Sequence, residues 1–296
     1  MRFKLLHHSS EWLVGDFEPP ADYDQDCGIV LRVHKNRGGD SVAIKLMSGG
    51  TGVWDSMGRL VYYAPLGADL LWFRGSSTLL SLERQAPIVR SGPGISHSLK
   101  TLDGRSFETL AAMEVRFPLG FAEYLVLNPV HDQCAATWRE AAEWGYVLID
   151  IAVQSQLPTS LVHPVLTLSP PAFSLDGQCI LSCNPAPPGW WTDDSDDYEQ
   201  SPSQGGERSV GTITVHDIST NRITEHDVRV DLPRGWIPDH PDRSEWYRIW
   251  GPEFIAEREF AFWLPDDQQM SASLPLPAIV KVPGTLRTQR PWLHDD

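Results

Sequence analysis

Apolar residues along this chain recur at every second position, in short runs broken by glycine, proline and aspartate. In "AFSLDGQCILSCNP" (172–185), Phe173 precedes an Asp176-Gly177 turn, after which Cys179, Leu181 and Cys183 occupy alternate positions. "VWDSMGRLVYYAP" (53–65) repeats the layout with Trp54, Gly58, Leu60, Tyr62 and Ala64. "RFPLGFAEYLVLNP" (116–129) does so with Phe117, Gly120, Leu125 and Leu127, and "EFIAEREFAFWLP" (253–265) with Phe254, Phe260, Phe262 and Leu264. Each stretch predicts an aromatic residue closing one strand, a short turn, a second strand of period two, and a proline that ends it. Equivalent positions in a repeat pack equivalently, so Trp54, Phe117, Phe173 and Phe254 are predicted to be buried between sheets.

The strand that follows also recurs. "WGYVLIDIAVQSQ" (144–156) and "VGTITVHDISTNRI" (210–223) share a glycine, alternating β-branched residues, an Asp-Ile pair and a polar turn. "GIVLRVHKNRGGDSVAIKL" (28–46) and "ADLLWFRGSSTLLSL" (68–82) are looser versions. Third-strand candidates near positions 29, 69, 146, 212 and 278 give about five units. "FSLDG", "WDSMG" and the strand ends "VHDI" and "LIDI" resemble the blade signatures of WD40-like and TolB-like β-propellers. That resemblance implies an all-β propeller of about five blades, a single domain over 1–296, and a scaffold that binds other molecules. The terminal stretches "RFKLL" (2–6) and "AIVKVP" (278–283) are both strand-like and could close such a ring. The same short alternating strands would also build an irregular β-sandwich, which stays open as the alternative.

Extra length falls mainly between the second and third strands of each unit. It comprises "EPPADYDQD" (18–26), "NPVHDQCAATWREAAEW" (128–144), "NPAPPGWWTDDSDDYEQSPSQGGERS" (184–209) and "PDDQQMSASLPLP" (265–277). These stretches are acidic, and three carry aromatic residues. The binding residues they nominate are Tyr23, Trp138, Trp144, Trp190, Trp191 and Tyr198, with the carboxylates Asp193, Asp194, Asp196 and Asp197. Tryptophan and tyrosine supply contact area while acids steer a cationic partner. Solvated or disordered loops account for the same composition. Asp132 as a cap, Ala135, Ala136, Ala141 and Ala142 as helix formers and Gly145 as a stop predict a helix over 132–143, the one helix in the chain.

Charge narrows the partner. With 24 basic and 39 acidic residues the formal charge is −15, which repels phosphate backbones and excludes nucleic acid as an expected partner. The densest basic stretch, "LRVHKNRGG" (31–39), is short and borders a turn. No apolar run reaches transmembrane length and the first residues lack a signal-peptide core, so no membrane partner and a cytoplasmic location are expected. Cys27, Cys134, Cys179 and Cys183 fit reduced, buried thiols; Cys179 and Cys183 share a strand face too far apart to bridge.

Motifs for chemistry are sparse. Asp22, Asp24 and Asp26 alternate as calcium ligands do, but the glycine falls late and Val33 stands where a bidentate glutamate belongs, so a solvated turn is the preferred reading. No zinc spacing, P-loop or nucleophile elbow occurs, and Ser96 beside His97 on an extended segment points away from it. No cofactor or metal is expected. Three functions compete: a non-enzymatic propeller scaffold binding a protein or peptide of basic character through an acidic, aromatic loop face; a carboxylate-based glycan-active hydrolase; and a purely structural role. The first is preferred because no catalytic motif is present.

Overall fold

Strand after strand adds to the one before it by an antiparallel hairpin, and this up-and-down order generates the architecture. The computed structural model describes residues 2–5, 12–13, 17–21, 27–36, 38–46, 50–65, 67–73, 77–84, 95–118, 120–140, 143–163, 170–185, 206–232, 250–264 and 269–285. Packing divides the chain into two compact units, one of residues 1–127 and 132–162, the other of 128–131 and 163–296.

The first unit holds three sheets. Strands β1 (Arg2–Leu5), β2 (Trp12–Leu13), β3 (Cys27–Lys35), β4 (Ser41–Leu46), β5 (Thr51–Asp55) and β6 (Leu60–Ala64) form a sheet in the order β2-β1-β3-β4-β5-β6. Strands β7 (Gly67–Trp72), β8 (Thr78–Arg84), β9 (Ile95–Asp103) and β10 (Thr109–Phe117) form a four-stranded meander. So do β11 (Phe121–Leu127), β12 (Gln133–Glu140), β13 (Glu143–Asp150) and β14 (Ser155–His163). In the second unit β15 (Ala172–Phe173), β16 (Cys179–Pro185), β17 (Gly206–Asp217) and β18 (Arg222–Leu232) form a meander extended by β22 (Ile279–Thr285). The last sheet is β19 (Trp250–Phe254), β20 (Glu259–Trp263) and β21 (Gln269–Ser273). The fold is thus all-β, and among the described residues the strands form five sheets, the number of units expected from the repeat.

Burial follows strand position. β7, "GADLLW", and β8, "TLLSLER", are buried on both faces over most of their length and read as near-continuous apolar runs. β10, at the sheet edge, alternates exposed and less exposed residues. Leu80, Leu82, Leu99, Val115, Phe117, Leu125, Cys134, Trp138, Val147 and Ile149 form one core of the first unit. Leu181, Cys183, Ile213, Val228, Phe260, Phe262 and Val280 form the core of the second. Trp54, Phe117 and Phe173 are buried as the repeat requires, and Phe254 is half-buried. Cys179 and Cys183 lie on one face of β16 and pack into the second core.

Several expectations are corrected. Residues 132–143 are strand, not helix: β12 is laddered on both edges, from Gln133 opposite Asp150 to Glu140 opposite Glu143, and against β11. Alanine's helix preference is worth only a few tenths of a kcal/mol per residue, and here Ala135 and Ala136 serve as small fillers buried under neighbouring sheets. Gly145 lies opposite Trp138 and leaves that cross-strand site to the indole. The insertion expected at 128–144 is therefore mostly sheet, and 265–277 contains β21. The hairpin at 53–65 closes the first sheet rather than opening the second, so the candidates near 29 and 69 are first strands, β3 and β7. Pairing between neighbours is alike at every position of a meander, so hairpin signatures carry no strand number. The termini do not pair with each other: β1 adds parallel to β3, and β22 parallel to β18.

Replacing Trp138 by alanine removes a fully buried indole and is expected to cost about 3–5 kcal/mol. Denaturant unfolding checks it; a loss under about 1 kcal/mol would show that the core of the first unit does not depend on this side chain.

Candidate functional site

Two features stand out: the turns at one end of each sheet, and a buried group of charges in the first unit. In an up-and-down sheet the first–second and third–fourth turns lie at the same end, and the ladders show it. The amide of Ile151 donates to the carbonyl of Asp132 (2.7 Å), that of Ile218 to Gln178 (2.9 Å) and that of Leu274 to Arg258 (2.8 Å). Aspartates fix these turns from within. Asp55 Oδ1 accepts from the amides of Met57 and Arg59 at 2.9 and 3.0 Å. Asp103 Oδ1 accepts from Arg105 and Ser106 at 2.9 and 2.8 Å, and Asp150 Oδ1 from Val153 at 3.1 Å. Asp176 Oδ1 accepts from the Ser174 hydroxyl at 2.5 Å and the Gln178 amide at 3.0 Å. Asp217 Oδ1 accepts from the Ser219 hydroxyl at 2.7 Å and the Thr220 amide at 3.0 Å.

These bonds favour the ionised form, so the carboxyls of Asp55, Asp103, Asp176 and Asp217 titrate below the usual aspartate range. The turns close through left-handed residues: Phe107, Gln154 and Asn221, with φ of 57°, 52° and 52°, each follow their aspartate by four positions. Gly177 (φ 71°) is required twice over, because a Cβ there would lie 2.3 Å from Asn128 Oδ1. Asn128 in turn is buried, with its amide donating to the Gly177 carbonyl at 2.9 Å and its Oδ1 accepting from Val130 and His131.

Rigid turns of this kind carry exposed aliphatic side chains at their tips. In the first unit these are Met57 (66% exposed) and Val153 (69%); in the second, Val130, Leu175 and Ile255. An acidic residue stands within two positions of four of these five: Asp55 by Met57, Asp132 by Val130, Asp176 by Leu175, and Glu253 and Glu257 by Ile255. For Val153 the nearest is Asp150, three positions back.

The charged group lies on β3, β4, β7, β11 and β12 of the first unit, with Asp69 buried and Arg139 exposed. Asp69, 1% exposed, receives the Arg32 guanidinium at 2.6 Å and the Leu125 amide at 2.7 Å on Oδ2, and the Leu70 amide at 3.0 Å on Oδ1. Arg32 Nη1 also donates to the Leu125 carbonyl at 2.6 Å. Arg139 pairs with Glu123 at 2.9 Å. Lys45 donates its ammonium to the Glu123 carbonyl and sits 3.9 Å from the centre of the Tyr124 ring. Among the described residues no carboxylate forms an ion pair with Lys45. Burial lowers its pKa to about 8, against the raising effects of Asp69 and Glu123. Burial likewise lifts the Glu123 carboxyl and pushes Tyr124 to about 12, and it lowers His34, whose Nδ1 accepts the Trp72 amide at 3.2 Å.

Of the residues nominated by sequence, Trp138 and Trp144 are 0% and 1% exposed in the core of the first unit and offer no surface for binding. They are strand residues whose indoles fill the space between sheets, not parts of a loop. Tyr23, Trp190, Trp191, Asp193, Asp194, Asp196, Asp197 and Tyr198 lie outside the described residues, as do Asp22, Asp24 and Asp26. At the start of the first insertion, the Trp54 indole donates to the Glu18 backbone carbonyl at 2.8 Å, and the Glu18 amide donates to the Gly58 carbonyl at 2.8 Å. Arg32, Lys45, Asp69, Glu123 and Arg139 were missed as a group. The signal was in "LRVHK", where Arg32 and His34 alternate along one face of a strand, with Lys45 of β4 directly opposite Arg32.

No protein-family model matches the chain. No curated protein matches it. Among solved structures it is similar to the β-propeller domain of Myceliophteria thermophila Cps50 (Swd1), at 17% identity and a TM-score of 0.45, over 84% of this chain and 68% of that one. It is also similar to Kuenenia stuttgartiensis hydrazine synthase, at 11% identity and a TM-score of 0.50, over 80% of this chain and 65% of that one. At such identities the likeness is one of fold alone. The sheets described above are those of a β-propeller.

Two outcomes are expected from the charged group. Asp69→Ala strands the Arg32 guanidinium and the Leu125 amide and should cost about 3 kcal/mol or more in chemical denaturation. Between the folded Lys45 pKa of about 8 and the ordinary value of 10.5, the unfolded chain binds more protons, so stability should rise with pH across that window. Lys45→Met should abolish this rise; an unchanged pH profile would show that Lys45 does not titrate there.

Proposed function

We propose that this chain is a recognition module, a propeller scaffold that binds a protein partner through the turn end of its sheets. The observation that supports this reading is the recurrence of one design at those turns. An aspartate held by backbone amides fixes the loop, and an exposed aliphatic residue stands at its tip, as at Met57, Val153 and Leu175. Exposed apolar side chains cost less to bury against a partner when their loops are already ordered, since little conformational entropy remains to be lost. The neighbouring carboxylates and the net charge of −15 favour a partner of basic character. In the finer form of this reading, Tyr23, Trp190, Trp191, Tyr198 and the acids Asp193, Asp194, Asp196 and Asp197 add contact area and steering.

The test uses the full chain as bait, with two double variants, Met57→Ser with Val153→Ser and Leu175→Ser with Ile255→Ser. The control is Leu110→Ser, an equally exposed site on the outer strand β10. A partner that binds the wild type and the control but is released at least about tenfold faster from a tip variant supports the reading. A partner held equally by all four proteins overturns it. Slower association at raised salt, or on replacing the four aspartates by asparagine, bears on the basic character of the partner.

A further inference from the structure

We propose that Arg32, Lys45 and Arg139, with Asp69 and Glu123, form a binding site in the first unit for a small monoanionic carboxylate. The reasoning begins with charge. The group holds three cations and two carboxylates, so one positive charge is unbalanced, in a chain whose total is −15. The groups around Lys45 account for themselves: Arg32 on β3, Asp69 on β7, Glu123 and Tyr124 on β11 and Arg139 on β12, with His34 on β3 beside Arg32 and Asp69. His34 is shifted toward its neutral form and Tyr124 stays protonated, so neither supplies the missing negative charge. Asp69 is engaged with Arg32, and Glu123 with Arg139. A single additional negative charge completes the set, where a dianion would overshoot it.

Donor geometry favours a carboxylate over a monatomic anion. Lys45 Nζ spends one N–H on the Glu123 carbonyl. Arg32 uses Nη1 for both of its bonds, and Arg139 pairs through Nε. The bonds shown use only part of the N–H capacity of the three side chains, and the two guanidiniums lie close enough to add to burial in depressing the lysine's basicity. A planar carboxylate meets a guanidinium fork better than a point charge does. Solvent reaches the group, since the Arg139 and Arg32 side chains are 44% and 23% exposed. This site is separate from the turn-tip surface and does not depend on it.

Thermal unfolding of the full chain at pH 7, with sodium acetate replacing sodium chloride at constant ionic strength, tests the proposal. Tm should climb hyperbolically with acetate and not with chloride, as ligand binding to the folded state requires. Lys45→Met should unfold no earlier than the wild type without acetate, and its acetate affinity should be roughly tenfold weaker or worse. Arg139→Gln, at a more exposed position, should give a partial loss and serves if the first variant does not fold. Wild-type affinity should fall as pH rises through about 8, where Lys45 loses its proton. Equal effects of acetate and chloride, or a wild-type acetate response in both variants, would overturn the proposal.

Discussion

Asp69 is the group on which the first unit turns. It is a carboxylate almost wholly removed from water, and its two oxygens accept from Arg32 on β3, from Leu125 on β11 and from its own neighbour on β7. These are the first strands of three successive meanders. The hydrogen bonds within each sheet hold that sheet together, but they say nothing about its neighbours. Packing of apolar side chains between sheets is strong and non-directional, so it tolerates small slides. A buried charge is different: displacing it by an ångström breaks charge-assisted bonds and leaves ions unpaired in a poorly polarisable interior. Asp69 therefore fixes the register among three sheets that apolar packing alone would leave loosely specified.

The second unit answers the same problem with neutral groups. Asn128 bonds the carbonyl of Gly177 and the amides of Val130 and His131, and a side chain at position 177 would collide with it. Asn184 reaches Thr214 at 2.8 Å, a further polar pair inside that unit. Asn128, bonded at both ends of its amide, carries less desolvation cost than an ion pair, and it holds its turn without an excess charge to be balanced. Among the described residues, the charge imbalance around Lys45 belongs to the first unit.

Legibility in the sequence tracked how local each signal was. Strand period, the hairpin at Asp176-Gly177, the Asp-Ile strand ends and the number of units all arise from neighbours in sequence, and each has its counterpart in the structure. The failures came where a distant partner decides. Ala135 and Ala136 look like helix formers until β11 and β13 flank them, after which their small size is what matters. Trp138 and Trp144 look like loop aromatics for the same reason, and both are core. Position within a meander was also illegible, because every hairpin obeys the same rule wherever it sits. Arg139 falls in the stretch expected to be a helix and Lys45 in a strand with no sign of a partner, since nothing in their own segments announces the strands that bring them beside Glu123 and Asp69.

A charged group that is both costly and incompletely balanced needs a physical account. Replacing buried ions by apolar residues of similar size is often neutral or stabilising, so stability alone is a weak reason for three cations to converge here. Register is a better reason for Arg32 and Asp69, which bridge strands directly, and it extends to Arg139 and Glu123, which join β12 to β11 across their hairpin. It does not extend to Lys45. Its single bond goes to a backbone carbonyl and its other contact is an aromatic face, neither of which neutralises an ammonium. An apolar side chain would fill the same space without the desolvation cost. The lysine therefore makes physical sense where its charge is used by something that arrives, and the surrounding donors define what that something must offer.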